Sequence, residues 1–248
     1  MLVSPEWLAE HLGEPRIVVV ESRWTPDGSG RATYESGHIP GAVYLDADDD
    51  LASPPAVPGG RHPLPAPEVF AATMSSAGIG DDDVVVVYDS AQGSNAVRLW
   101  WMLTVVGHRA AVLDGGLQAW SGPLEHGPQG ARSPATFIPR PWPADGIADA
   151  DTVATALTSG TATVLDARAP ERYRGDVEPY DVRAGHIPGA INAPWSENVD
   201  ASTGRFLPAS ELAARYRELG ANGSTIVQCG SGITALHDAF AMRLAGLA

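Results

Sequence analysis

A single cysteine, Cys229, is all the chain has among its 248 residues, so no internal disulfide can form and a cytoplasmic setting is the expectation. No run approaches the ~18 consecutive apolar residues that a membrane-spanning helix needs. The opening Met1-Leu2-Val3-Ser4-Pro5-Glu6 carries neither the basic patch nor the apolar stretch of a secretory signal. Positive charge is scarce: 16 Lys and Arg stand against 30 Asp and Glu, for a net charge of −14. Such a surface repels nucleic acid and anionic membranes, so neither is an expected partner. If the substrate is a small anion, a few arginines and backbone amides have to hold it. No metal or cofactor is expected. Asp46, Asp48 and Asp50 are spaced like the start of a calcium loop, but Leu51 stands where that loop needs glycine and Val57 where it needs glutamate.

What the chain does have is ordinary globular composition, 44% hydrophobic and 19% charged, and an internal repeat. Ser36-Gly37-His38-Ile39-Pro40-Gly41-Ala42-Val43 returns as Ala184-Gly185-His186-Ile187-Pro188-Gly189-Ala190-Ile191. Upstream of each copy, an apolar run ends in an acid, a small residue and an arginine: Glu21-Ser22-Arg23 and Asp166-Ala167-Arg168. Downstream of each come a helical stretch and a second apolar run, residues 84–87 and 225–228. The pattern is two copies of one unit.

Short β-branched runs alternate with helical stretches such as 5–12 and 68–77, which predicts an α/β fold with mainly parallel sheets flanked by helices. The Pro- and Gly-rich segment 123–147 reads as a linker over the surface, between an N-terminal domain at 1–122 and a C-terminal domain at 148–248. The histidines of the repeated turn, His38 and His186, are expected to position the backbone by hydrogen bonding rather than to catalyse.

Cys229 opens Cys229-Gly230-Ser231-Gly232-Ile233-Thr234 directly after the strand-like run 225–228. Ile233, Leu236, Phe240, Leu244 and Leu247 follow at helical spacing. A thiol at a strand-to-helix turn, among small residues, sits where backbone N–H groups converge and where a helix N-terminus favours thiolate. A buried cysteine acting as a small apolar residue is the alternative.

Together with Leu113-Asp114-Gly115-Gly116-Leu117-Gln118-Ala119-Trp120, these motifs resemble the tandem-domain rhodanese family of sulfurtransferases, and most of all its 3-mercaptopyruvate sulfurtransferase branch. The resemblance spans nearly the whole chain. It implies two rhodanese-like domains, the first catalytically inactive with Asp89 at the position of Cys229, the second catalytic. It also implies a departure: after the Cys229 helix, the C-terminal copy lacks the last strand and helix that the N-terminal copy builds from 110–120.

The function implied is transfer of a sulfane sulfur from 3-mercaptopyruvate, through a Cys229 persulfide, to an external thiol, a thioredoxin-like protein or cyanide. Thiosulfate is the alternative donor, and a non-catalytic sulfur carrier a remote one. A phosphatase of the related kind needs arginine six positions after the cysteine, where Ala235 stands. Amides of Gly230, Gly232, Ile233 and Thr234 are expected to stabilise anionic sulfur, and the absence of charge in this loop suits a monoanionic donor. By resemblance, Arg172 binds the donor carboxylate, Arg183 is a weaker second candidate, and Ser231, His62 and Asp48 form a proton relay.

Overall fold

The computed structural model describes residues 1–55, 60–130 and 132–247; Val57 and the terminal Ala248 lie outside the described residues. The chain forms two compact units, Met1–Pro143 with Thr203–Arg205, and Ala144–Ser202 with Phe206–Ala248.

In the first unit, β1 (Leu2–Val3) leads into α1 (Pro5–His11). Ser4 caps that helix by accepting from the Trp7 N–H at 3.1 Å, and Pro5 sits in the first turn, where its missing N–H costs nothing. Next come β2 (Ile17–Arg23), α2 (Gly30–Ser36), β3 (Val43–Asp46), α3 (Pro67–Ser76), β4 (Val84–Tyr88), α4 (Ala96–Val105), β5 (Arg109–Leu113) and the short α5 (Gly116–Ala119). The five strands pair in parallel in the order β1-β5-β4-β2-β3. Helices cover such a sheet on both faces, which is why β4 begins with four consecutive valines instead of alternating. Val85, Val86 and Val87 are fully buried. Leu8, Val19, Tyr34, Ile39, Tyr44, Val86, Tyr88 and Leu113 form one core cluster. Each buried aliphatic side chain there contributes about 1.5–3 kcal/mol.

Among the described residues, the segment after Trp120 has no strand or helix through Pro143, yet it is anchored to this unit. Phe137 is buried, edge-on to Phe70 with centroids 5.7 Å apart and stacked on His108 at 5.2 Å. Trp142 packs on Phe70 and donates from Nε1 to the Pro65 carbonyl at 2.7 Å. Aromatic anchors fasten the proline-rich stretch, and the division between the compact units falls after Pro143.

In the second unit, Asp149 caps α6 (Ala150–Ser159) by accepting from the Thr152 N–H at 2.8 Å. It is followed by β6 (Thr163–Asp166), α7 (Pro170–Arg174), β7 (Ile191–Asn192), α8 (Ala209–Glu218), β8 (Thr225–Gln228) and α9 (Ala235–Leu244). Three parallel strands run in the order β7-β6-β8. Among the described residues, β5 and β1 of the first unit have no counterpart here, and β8 is half-buried where β4 is buried. Leu165, Leu212, Tyr216, Ala241 and Met242 fill the core.

Both copies hold the repeated turn with the same ring pair. Tyr34 and His38 stack at 3.8 Å, His38 Nδ1 meets the Tyr34 carbonyl at 3.0 Å, and the Tyr34 hydroxyl donates to the Ala42 carbonyl. Tyr173 and His186 stack at 3.8 Å, His186 Nδ1 meets the Tyr173 carbonyl at 2.7 Å, and the Tyr173 hydroxyl donates to the Ala190 carbonyl. The ring partners lie 4 residues apart in the first copy and 13 in the second. Among the described residues, no helix is long and apolar enough to cross a membrane.

Candidate active site

The register of the second sheet places Asp166 opposite Gln228, so the chain leaves β6 and β8 at the same edge. Ala167 donates its N–H back to the Gln228 carbonyl at 2.9 Å and locks this exit. From β8 the chain enters the Cys229 loop; from β6 it passes through Arg168 into α7, which carries Arg172. Topology alone thus brings the thiol and the arginines to one end of the sheet, where ligands bind in parallel α/β sheets.

Cys229 is half-buried, and its Sγ accepts the Gly232 N–H at 3.1 Å. Gly232 has φ 75°, a left-handed conformation that a residue with a Cβ adopts only at a cost; this turns its amide back onto the sulfur. Gly230, Ser231 and Thr234 are half-exposed, whereas Ile233 is buried and pins the loop to the core. The helix that follows begins at Ala235, with its N-terminal N–H groups on the loop side.

Arg168 and Arg172 are both engaged. Arg168 grips the fully buried Asp166 with Nε and Nη2, the latter at 2.6 Å, and reaches Glu178 at 3.3 Å. Arg172 donates from Nη2 to Glu178 Oε1 at 2.7 Å and to Asp181 Oδ2 at 3.1 Å, and from Nε to Glu178 Oε2 at 3.3 Å. The Tyr180 ring lies 5.0 Å from its guanidinium. Burial works against the charge of Glu178, but hydrogen bonds from Arg172 and from the amides of Tyr180 and Asp181 outweigh it and hold its carboxyl below the usual range. The family resemblance assigns the donor carboxylate to Arg172; much of its guanidinium is engaged by the chain's own acids. Arg183 is exposed.

His62 and Asp48 belong to the first unit, where His62 Nε2 lies 2.5 Å from Asp48 Oδ1. His62 is buried, edge-on to Trp24, and its carbonyl accepts from Arg98 at 3.0 Å. Desolvation pushes the His62 pKa down, and the hydrogen bond and charge of Asp48 only partly restore it. The ring is therefore neutral at pH 7. Its Nε2 carries the proton toward the carboxylate, leaving Nδ1 as the basic atom.

Asp89, the counterpart of Cys229, follows β4 directly and is fully buried. Its Oδ1 accepts the N–H groups of Ala91 and Gly93 at 2.7 and 2.8 Å, and its Oδ2 those of Asn95 and Ala96 at 2.7 and 2.9 Å. The loop of the first copy is an anion cradle closed around its own carboxylate.

A polar cluster that the sequence did not announce lies under the Cys229 loop on α9. Asp238 Oδ1 accepts from Asn198 at 2.8 Å and lies 3.0 Å from the Tyr216 hydroxyl, while its buried Oδ2 has no hydrogen-bond partner. Burial raises its pKa to about 7 against the opposing pull of Asn198, Arg215 and Tyr216. No group of three or more His, Cys, Asp or Glu among the described residues is arranged to hold a metal ion.

The rhodanese-like domain model matches residues 4–123 and 149–248. A "Probable 3-mercaptopyruvate sulfurtransferase" of Pseudomonas aeruginosa is 40% identical over 99% of this chain and 89% of that protein. "Thiosulfate/3-mercaptopyruvate sulfurtransferase 1, mitochondrial" of Arabidopsis thaliana is 33% identical over 94% of this chain and 69% of that protein. The crystal structure of SseA from Escherichia coli, described as a 3-mercaptopyruvate sulfotransferase with the rhodanese fold, superposes with a TM-score of 0.85 at 33% identity. That superposition covers 99% of this chain and 94% of SseA.

Proposed function

The chain belongs to the rhodanese-like domain family, and on that premise we propose that it is a sulfurtransferase with 3-mercaptopyruvate as donor. One observation carries the reading: the only thiol of the chain stands at the end of β8, half-exposed, with a loop amide directed at its sulfur.

The Cys229 thiolate attacks the donor sulfur. The carbon–sulfur bond breaks with its electron pair moving to carbon as the pyruvate enolate, which takes a proton and leaves as pyruvate. Cys229 keeps the transferred sulfur as a persulfide. Amides of Gly230, Gly232, Ile233 and Thr234 offset the negative charge on sulfur. Because the chain has no second cysteine, the acceptor is external: a thiol, a thioredoxin-like protein or cyanide. Attack on the outer sulfur returns the thiolate.

Arg172 binds the donor carboxylate, with Arg183 as a second cation. The enolate takes up the proton that the donor thiol loses, and Ser231, His62 and Asp48 are the proposed relay for it. The pairing of His62 with Asp48 supports this, since it fixes the tautomer of a ring that is neutral at pH 7. Thiosulfate is the second donor to consider, because the Arabidopsis relative carries both donors in its name.

Incubation with 3-mercaptopyruvate should raise the intact mass by ~32 Da, with release of pyruvate, and Cys229→Ser should remove both signals. A serine variant that still turns over, or a native protein that gains no mass, refutes the mechanism.

A further inference from the structure

We propose that Asp181 sets the donor preference of this site: it occupies the part of Arg172 that an incoming carboxylate needs. The inference rests on the sulfurtransferase reading and deepens it.

The Nε proton and one Nη2 proton of Arg172 go to Glu178, and the second Nη2 proton goes to Asp181. A guanidinium grips a carboxylate best with two parallel N–H groups on one edge. The edge formed by Nε and Nη2 is held by Glu178. The remaining edge, Nη1 with the outer proton of Nη2, is half-blocked by Asp181.

The two acids differ in how firmly they are held. The Glu178 side chain is 4% exposed, bridges Arg172 to Arg168, and accepts the N–H groups of Tyr180 and Asp181 at 3.1 Å each. The Asp181 side chain is 28% exposed and reaches Arg172 through one oxygen at 3.1 Å. Glu178 is a fixture. Asp181 is the group a donor can displace.

The internal repeat supports a site-specific role. In the first copy, Thr33 precedes the stacking tyrosine where Arg172 does in the second, and the route to the stacking histidine is nine residues shorter, 4 against 13. Glu178, Tyr180 and Asp181 all lie in the longer route. The acidic turn is present in the copy with the thiol and the arginine, and absent from the other.

Charge then gives a direction. Two arginines, Arg168 and Arg172, face three carboxylates, Asp166, Glu178 and Asp181, so these paired groups by themselves leave one negative charge in excess. The repulsion from Asp181 scales with donor charge, one unit for 3-mercaptopyruvate and two for thiosulfate. Asp181 thus penalises the dianion more.

The test is Asp181→Asn, which removes the charge and keeps the size and an acceptor oxygen. KM for 3-mercaptopyruvate should fall about fivefold and KM for thiosulfate by about the square of that factor, with kcat nearly unchanged. Asp181→Glu, which keeps the charge, should restore the native ratio of the two KM values. Binding of the non-reacting anions pyruvate and sulfate, measured by calorimetry, should tighten in the same unequal way and needs no turnover. A melting curve of the variant near that of the native protein excludes misfolding as the cause. Equal changes for monoanion and dianion, no change, or weaker binding of both would overturn the proposal; the last would make Asp181 an orienting residue. Loss of persulfide formation in the native protein would instead overturn the sulfurtransferase reading, and the two anions would still decide the role of Asp181.

Discussion

Gly116 lies against the backbone carbonyl of Asp89: a Cβ added at Gly116 would overlap that oxygen, and the next residue, Leu117, donates its N–H to it at 2.8 Å. The start of α5 therefore closes the Asp89 loop by direct backbone contact. Gly116 has φ 59°, so a side chain there is disfavoured twice, by conformation and by contact with backbone that cannot swing away. Gly116→Ala should destabilise the protein by about 2–4 kcal/mol, read as a lower midpoint in urea. A midpoint within error of the native one would show that the loop can shift to accept the methyl group.

The Asp89 carboxylate satisfies four loop amides at once, three of them buried. Asp89→Ala should leave them without acceptors and cost about 3 kcal/mol or more. Per folded molecule, the rate of persulfide formation at Cys229 should stay near the native value, because Asp89 touches no reacting atom. A selective loss of that rate, with stability preserved, would give Asp89 itself a part in the chemistry.

Asp238 makes stability depend on pH in a definite direction. In the folded protein its pKa is raised to about 7 from the ordinary 3.8, so between those values the native state holds a proton that the unfolded chain releases. Its stabilising contribution is complete below the unfolded value and is lost as pH rises through the folded one, at about 1.4 kcal/mol per pH unit. Asp238→Asn keeps the oxygen that accepts from Asn198 and Tyr216 and has no proton to lose. Thermal melts of the two proteins should separate steadily from pH 4.5 to 7, with the variant gaining, and run parallel above pH 8. A constant difference across the range would place the titrating group elsewhere.

Much of this architecture could be read from the residues. Four valines opening β4 announced a strand covered on both faces, and the two Gly-His-Ile-Pro-Gly-Ala turns announced a duplicated parallel α/β unit. The Cys229 run announced a loop between a strand and a helix, which is where β8 and α9 leave it. What stayed hidden depends on three-dimensional pairing. A count of apolar spacing on α9 picks out Phe240 but passes over His237 and Asp238, which are fully buried because Asn198 and Tyr216 come from other elements to meet them. The residues 123–143 look like a tether in composition, since Phe137 and Trp142 reveal themselves as anchors only beside Phe70. Arg172 matched a motif, but which acids hold it depends on a turn whose path the sequence does not print. A loose signal was present: Glu178 and Asp181 stand six and nine positions beyond Arg172, between Gly175 and Gly185.

The Tyr173–His186 stack and the Tyr173 bond to Ala190 do for the second copy what Tyr34, His38 and Ala42 do for the first, across a longer stretch of chain. A segment clamped at both feet in this way behaves as a cassette. Its length and charge can be rewritten, by recombination in nature or by grafting in the laboratory, while the frame that carries the thiol stays as it was. Selectivity and foldedness are thereby placed on separate stretches of polypeptide, and one can drift without endangering the other.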